Sequence, residues 1–276
     1  MSERDAVDKS ARPATVDSIG DDLARLGVEP GMTLLVHSSL SAIGWVSGGP
    51  VAVIQALEAV LGPSGTLVMP THSTGLTEPR NWQNPPVPED WWPIFRDTAP
   101  AYDPDLTPTR SMGAIAETFR RQRGVVRSGH PHSSFAAWGP HAEAVTRDHA
   151  LEFGMGEGSP LARLYDLGGH VLLLGVGHGN NSSLHLAEYR GEYPWKTVEK
   201  EGAPITVDGK RQWVEFDELD LVSDDFPALG EAFEAGAADG VLRRGRIGLA
   251  ESRLMRQRPL VDFAVEWMAA HRHAAP

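Results

Sequence analysis

Residues 177–190 read GHGNNSSLHLAEYR, which puts two histidines, two asparagines, two serines and a glutamate within fourteen positions. If Asn181 or Ser182 caps a helix, His185 falls in its first turn and Glu188 lies three residues on, along the same face. The positive end of a helix dipole disfavours an added charge on the ring, which suits His185 to act as a general base. A carboxylate within hydrogen-bond reach would fix the ring's tautomer and stabilise the imidazolium formed during reaction. The plainer alternative is a capped helix with one packed histidine and one solvated glutamate.

Two further polar stretches follow apolar runs. In VHSSLSAIGWVSGGP (36–50), Gly48 and Gly49 precede a helix that Pro50 can open, so free amides and a helix dipole would face an anion such as a phosphate or pyrophosphate. The letters match neither GxGxxG nor a Walker loop, and a Gly-rich turn that needs only left-handed backbone explains them as well. PTHSTG (70–75) and HPHSSFAAWG (130–139) add His72, His130, His132, Ser133 and Ser134. With His37 and His178 they raise a metal-dependent hydrolase as an alternative. No HExxH or EF-hand pattern is present, and a His-x-His pair recurs at strand period for packing as readily as for ligation, so no metal is expected.

Composition narrows the chemistry. Cysteine is absent from the 276 residues, which excludes disulfides and thiolate catalysis. The net charge of −12 argues against nucleic acid and is compatible with cationic partners, or simply with solubility. The opening residues lack a signal-peptide core, and no apolar run approaches the roughly 20 residues that span a bilayer. A cytoplasmic protein with no membrane partner is expected. A homodimer is one expectation for its assembly.

These stretches must be held by a scaffold. Val16, Ile19, Leu23 and Leu26 recur at helical spacing between Thr15 as N-cap and Gly27 as stop, leaving residues 1–14 as a flexible tail. Strand 32–39, helix 51–62 and strand 65–73 then read as a parallel unit with a right-handed crossover. Residues 77–109 lose all periodicity. Trp82, Trp91, Trp92, Phe95 and Tyr102 argue that this excursion is ordered and covers something. Helices at 111–122, 141–150 and 159–168, a strand leading to 139, the strand 170–177, and a hairpin turning on Asp208-Gly209 follow. Helix 226–237 comes next, 241–255 reads as a short strand and a helix start, and helix 259–271 closes the chain. The expected fold is α/β: a single domain over 15–270, a three-layer α/β/α sandwich with a mostly parallel or mixed central sheet. Ligands bind such sheets beyond the carboxyl ends of the strands, where the polar stretches lie.

At this point four segments in order resemble a known family. LLVHSSLSAIGWVSGGPVAVIQALEAVLGPSGTLVMPTHS, PAYDPDLTPTRSMGAIAETFR, RSGHPHSSFAAWGP and LLLGVGHGNNSSLHLAEYR are similar to the aminoglycoside 3-N-acetyltransferases, over about residues 16–268. The resemblance implies an α/β/α architecture unrelated to the common acetyltransferase fold. It also implies transfer of acetyl from acetyl-coenzyme A, as co-substrate, to the 3-amine of the 2-deoxystreptamine ring of aminoglycosides, which confers antibiotic resistance. It further implies that His37, Ser38, Ser39 and Leu40, with Ser47, Gly48 and Gly49, line the coenzyme A groove. Ser111, Met112 and Gly113 would pass the pantetheine arm, and His185 would be the catalytic base in a direct attack.

One departure matters. Many relatives carry an aspartate six residues before this histidine, where the chain has Gly179 followed by Asn180. The acidic partner of His185 must come from elsewhere, with Glu188 the first candidate and Asp225 the second. A polycationic acceptor needs carboxylates and aromatic faces. From the excursion Glu78, Asp90, Trp91 and Asp103 are candidates, joined by His72 and Asn180. Another primary amine as acceptor, and a catalytically silent binding protein, remain open.

Overall fold

The computed structural model describes residues 3–274, and its element order runs from α1 (Glu3–Lys9) and α2 (Val16–Leu26) to β1 (Thr33–Ser38), α3 (Gly49–Leu61) and β2 (Thr66–Pro70). Next come α4 (Trp91–Thr98), α5 (Gly113–Phe119), β3 (Val126–Arg127), β4 (Phe135–Trp138), α6 (Ala142–Thr146), α7 (Pro160–Asp166), β5 (His170–Leu174) and α8 (Ser183–Arg190). The chain ends with β6 (Val198–Val207), β7 (Lys210–Leu219), α9 (Phe226–Gly236), β8 (Leu242–Ile247), β9 (Ala250–Arg256) and α10 (Gln257–His271).

Seven strands form one mixed sheet in the order β3-β4-β2-β1-β5-β9-β8. Its centre is parallel, since β1 pairs with β2 on one side and β5 on the other, so all three point their carboxyl ends the same way. The remaining pairs in this sheet are antiparallel. The β6–β7 pair forms a separate ribbon turning on Asp208 and Gly209, both at positive φ as the Asp-Gly pair predicts.

Strand alternation explains the layers. Leu34, Val36, Leu172 and Leu174 face one core with Ile19, Leu23, Ile54, Leu57, Ile115 and Phe119 of α2, α3 and α5. Leu35, Val171 and Leu173 face the other, built by α7, α8, α9 and α10. The expected α/β sandwich with a mixed sheet is therefore the observed one.

Three local expectations are corrected. Within the expected tail 1–14, Glu3–Lys9 form α1 with Ala6 buried, Ala14 bridges Val46, and the Trp45 amide donates to Ser10 Oγ at 2.8 Å. The first two residues of that tail lie outside the described residues. The 241–255 segment is the hairpin β8–β9 rather than a strand and a helix start. Its first strand is a solvated edge rich in arginine, so period-two burial is invisible in its letters. The excursion 77–109 is not wholly irregular, because Trp91–Thr98 coil into α4.

Candidate active site

A cleft of about 740 Å³ opens beyond the carboxyl ends of β1 and β2. His37, Ser38, Ser39 and Leu40 line it from the end of β1, Gly49 and Pro50 from the start of α3, and Ser111, Met112 and Gly113 from the approach to α5. Ser111 holds φ 62 and Gly113 φ 79, so the chain turns sharply there to lay its backbone along the cleft. Ser47 and Gly48 stand outside the lining. The Ser47 amide donates to Ala14, and Gly48 takes φ 89 as the cap that starts α3. Asn180 and Ser182, just before α8, line it as well. Glu3, Ala6 and Trp45 also line the cleft, and the loose-tail expectation hid the first two.

Ser182 is the N-cap of α8 without a side-chain cap bond, while Asn181 Oδ1 accepts from the Ser183 amide at 3.2 Å. His185 thus sits in the first turn, and its Nδ1 lies 2.6 Å from Glu188 Oε2. An ionised carboxylate only accepts, so Nδ1 carries the proton of that bond and Nε2 keeps its lone pair. Glu188 is fully buried. Its other oxygen accepts from the Val222 amide at 3.0 Å and from Arg272 Nη1 at 2.8 Å. Phe226 packs its ring 4.9 Å from that of His185.

Asp225 is corrected as a direct partner of His185. Both its oxygens are held by Arg272 at 2.7 Å, one link beyond Glu188. Arg272 itself went unread, because a lone arginine after a terminal helix carries no local signal. At Gly179 a Cβ would meet only the Pro227 side chain, at an ordinary 3.8 Å, so nothing packs the place where relatives' aspartate is expected.

His37 and His72 are buried and held neutral, each with a pKa lowered to about 3 by burial first and by nearby His185 second. Among the described residues, His37 Nε2 and both ring nitrogens of His72 make no hydrogen bond. His130, His132 and His149 are depressed as well, chiefly by burial, to about 4 for the last two. His130 Nδ1 accepts from the amides of His132 and Ser133, and His132 Nε2 donates to Gly202 O, so these rings brace loops. Among the described residues no group of three or more His, Asp or Glu is placed to hold a metal ion, and no helix is long and apolar enough to cross a membrane.

The acids of the excursion divide. Glu78 is corrected as a free cation binder, since Arg96 Nη2 and Nε hold its two oxygens at 2.5 and 3.1 Å. Asp103 is likewise occupied, closing a turn onto the amides of Asp105 and Leu106. Asp90 stands exposed at the start of α4 beside Trp91, which is 54% exposed.

A mixed sheet between two helical layers, with a cleft at the carboxyl ends of its parallel strands and a carboxylate-paired histidine in the first turn of a neighbouring helix, places the chain among α/β proteins that bind ligands at strand ends. The family model for aminoglycoside 3-N-acetyltransferase matches residues 35–269. The SPbeta prophage-derived aminoglycoside N(3')-acetyltransferase-like protein YokD of Bacillus subtilis strain 168 is 49% identical over 262 residues, covering 95% of this chain and 94% of that protein. Aminoglycoside N(3)-acetyltransferase VII of Streptomyces paromomycinus is 39% identical over 279 residues, 97% and 96% of the two chains. The solved structure of AAC-IIIb as a binary complex with CoASH superposes with a TM-score of 0.83 at 32% identity, covering 96% of this chain and all of that one. The chain belongs to the aminoglycoside 3-N-acetyltransferase family, whose members are acyltransferases.

Proposed function

We propose that this protein transfers the acetyl group of acetyl-coenzyme A to the 3-amine of a 2-deoxystreptamine aminoglycoside, with His185 as general base. The observation that carries this reading is the 2.6 Å His185–Glu188 bond next to the cleft lined by His37 to Leu40 and by Ser111 to Gly113. The CoASH-bound relative supports the cleft as the coenzyme groove.

The amine nitrogen attacks the thioester carbonyl carbon while His185 Nε2 removes its proton. The tetrahedral intermediate collapses, the carbon–sulfur bond breaks, and the proton passes on to the departing sulfur. The products are the amide and free coenzyme A, with no acyl-enzyme. Neutral His37 and His72 add no repulsion to a cationic acceptor. Purified protein with acetyl-coenzyme A and gentamicin or kanamycin is expected to release free thiol, read with a disulfide dye, unaffected by chelators. Thiol release that requires added metal would sink the reading.

A second reading keeps the chemistry and changes the acceptor to another primary amine. Gly179, where relatives are expected to hold a carboxylate, and the internally paired Glu78 and Asp103 favour it, because fewer free carboxylates are left for a polycation. Silence toward every deoxystreptamine drug, with turnover on a different amine, selects it.

A further inference from the structure

Glu188 orients His185 from a position with no solvent access, where an ionised carboxylate carries a heavy desolvation cost unless it is paired. The pairing group comes from 84 residues away. Arg272, immediately after α10 and 3% exposed, places Nη1 2.8 Å from Glu188 Oε1. Its Nη2 also donates to Val222 O at 2.7 Å, and the Val222 amide donates to the same Glu188 oxygen, closing a ring. Tyr193 and Trp195 cover the guanidinium with centroids at 5.0 and 5.3 Å, and Asp225, whose side chain is 29% exposed, grips it as well. The family match ends at residue 269, short of this residue.

We propose that Arg272 is a positioning residue for the acyl transfer: it neutralises Glu188 through one oxygen, so that the other orients His185 without holding a second proton on the ring. The inference rests on His185 acting as the base. With Arg272 in place, the buried charges of Glu188 and Arg272 cancel while the ring is neutral. Without it, the buried carboxylate and ring cancel only when His185 is protonated, which is the form that cannot accept the amine proton. The other groups facing His185 do not alter this sign. His37 from β1 and His72 after β2 are held neutral by burial, Phe226 from α9 is uncharged, and the Tyr189 and Tyr193 phenols near Glu188 are held protonated by burial. Asp225 would add negative charge and push the same way.

The test is the pH dependence of kcat/KM for thiol release by the full chain carrying Arg272→Met, Arg272→Lys, Glu188→Gln, or Glu188→Gln with Arg272→Met. In Arg272→Met the acid limb is expected to move up by about one pH unit, so that kcat/KM falls about tenfold at pH values below the limb and by less on the plateau, with coenzyme A affinity unchanged. Arg272→Lys, which keeps a point charge but loses the fork, should lie between. In the Glu188→Gln background Arg272→Met should move the limb by clearly less than it does alone, the remainder coming from the unmasked Asp225. An acid limb unmoved in Arg272→Met overturns the proposal, whatever happens to the rate. Should that variant not fold, Arg272→Gln, which keeps hydrogen-bond donors without the charge, is read in its place, and an unmoved limb there does the same. His185→Asn separates the two layers: full activity there removes the base reading itself, whereas an inactive His185→Asn with an unmoved Arg272→Met limb removes only the role of Arg272.

Discussion

At the scale of single residues, the 2.6 Å bond between His185 Nδ1 and Glu188 Oε2 leaves Nε2 as the ring's open acceptor. His185→Ala is therefore expected to lower kcat by about 10²–10⁴-fold, the range of a lost general base. The ring lies outside the cleft lining, so coenzyme A affinity, read by calorimetry, should stay within about threefold. A near wild-type rate would move the base elsewhere. The His185–Glu188 pair was legible because both residues sit on one short helix, three positions apart. Asp225 could not be sorted from Glu188 by letters, since the arginine that claims it lies 47 residues away in sequence.

At the scale of elements, the bracket under α8 is built by its neighbour α9. His178 Nε2 lies 3.0 Å from Glu234 Oε1, and Asn181 Nδ2 approaches His178 Nδ1 at 3.4 Å. The His178 side chain packs against Gly230, where an added Cβ would collide with it. Gly230→Ala gains about 1 kcal/mol of helix propensity but overpacks a buried ring at about 1–3 kcal/mol, so a net loss of about 1 kcal/mol is expected in thermal or denaturant melts. A more stable variant would mean that the 178–180 turn yields freely. Elements with their own period were readable: the Thr15-capped α2, the apolar β1, β2 and β5, and the Asp208-Gly209 hairpin. The elements that escaped have little apolar signature. In α1 only Ala6 is buried, α4 buries no residue fully, and β8 is an arginine-rich edge.

For the whole molecule, acid should be the weak side of stability. His37, His72, His130, His132 and His149 have folded pKa values below the unfolded value near 6.5. Below that pH the unfolded chain binds more protons than the folded one, so stability falls as pH falls, from about 6.5 toward 3–4. Each ring costs up to about 1.4 kcal/mol per pH unit in that window, and five together rival a typical net stability of about 5–15 kcal/mol. The melting temperature is expected to hold above pH 7 and drop steeply below 6, with unfolding near about pH 5. A flat profile down to pH 4 would show that these rings take up protons without leaving the fold.

The central sheet also acts as a partition. The cleft side leans on the core of α2, α3 and α5, to which Val36, Val46 and Ala116 belong, while His185 and Glu188 hang from the core of α7 to α10 on the other face. Substitutions on opposite faces share few neighbours, so their energies should add with little cross-talk. Natural variation can then rework the packing on one face of the sheet while the other is inherited unchanged.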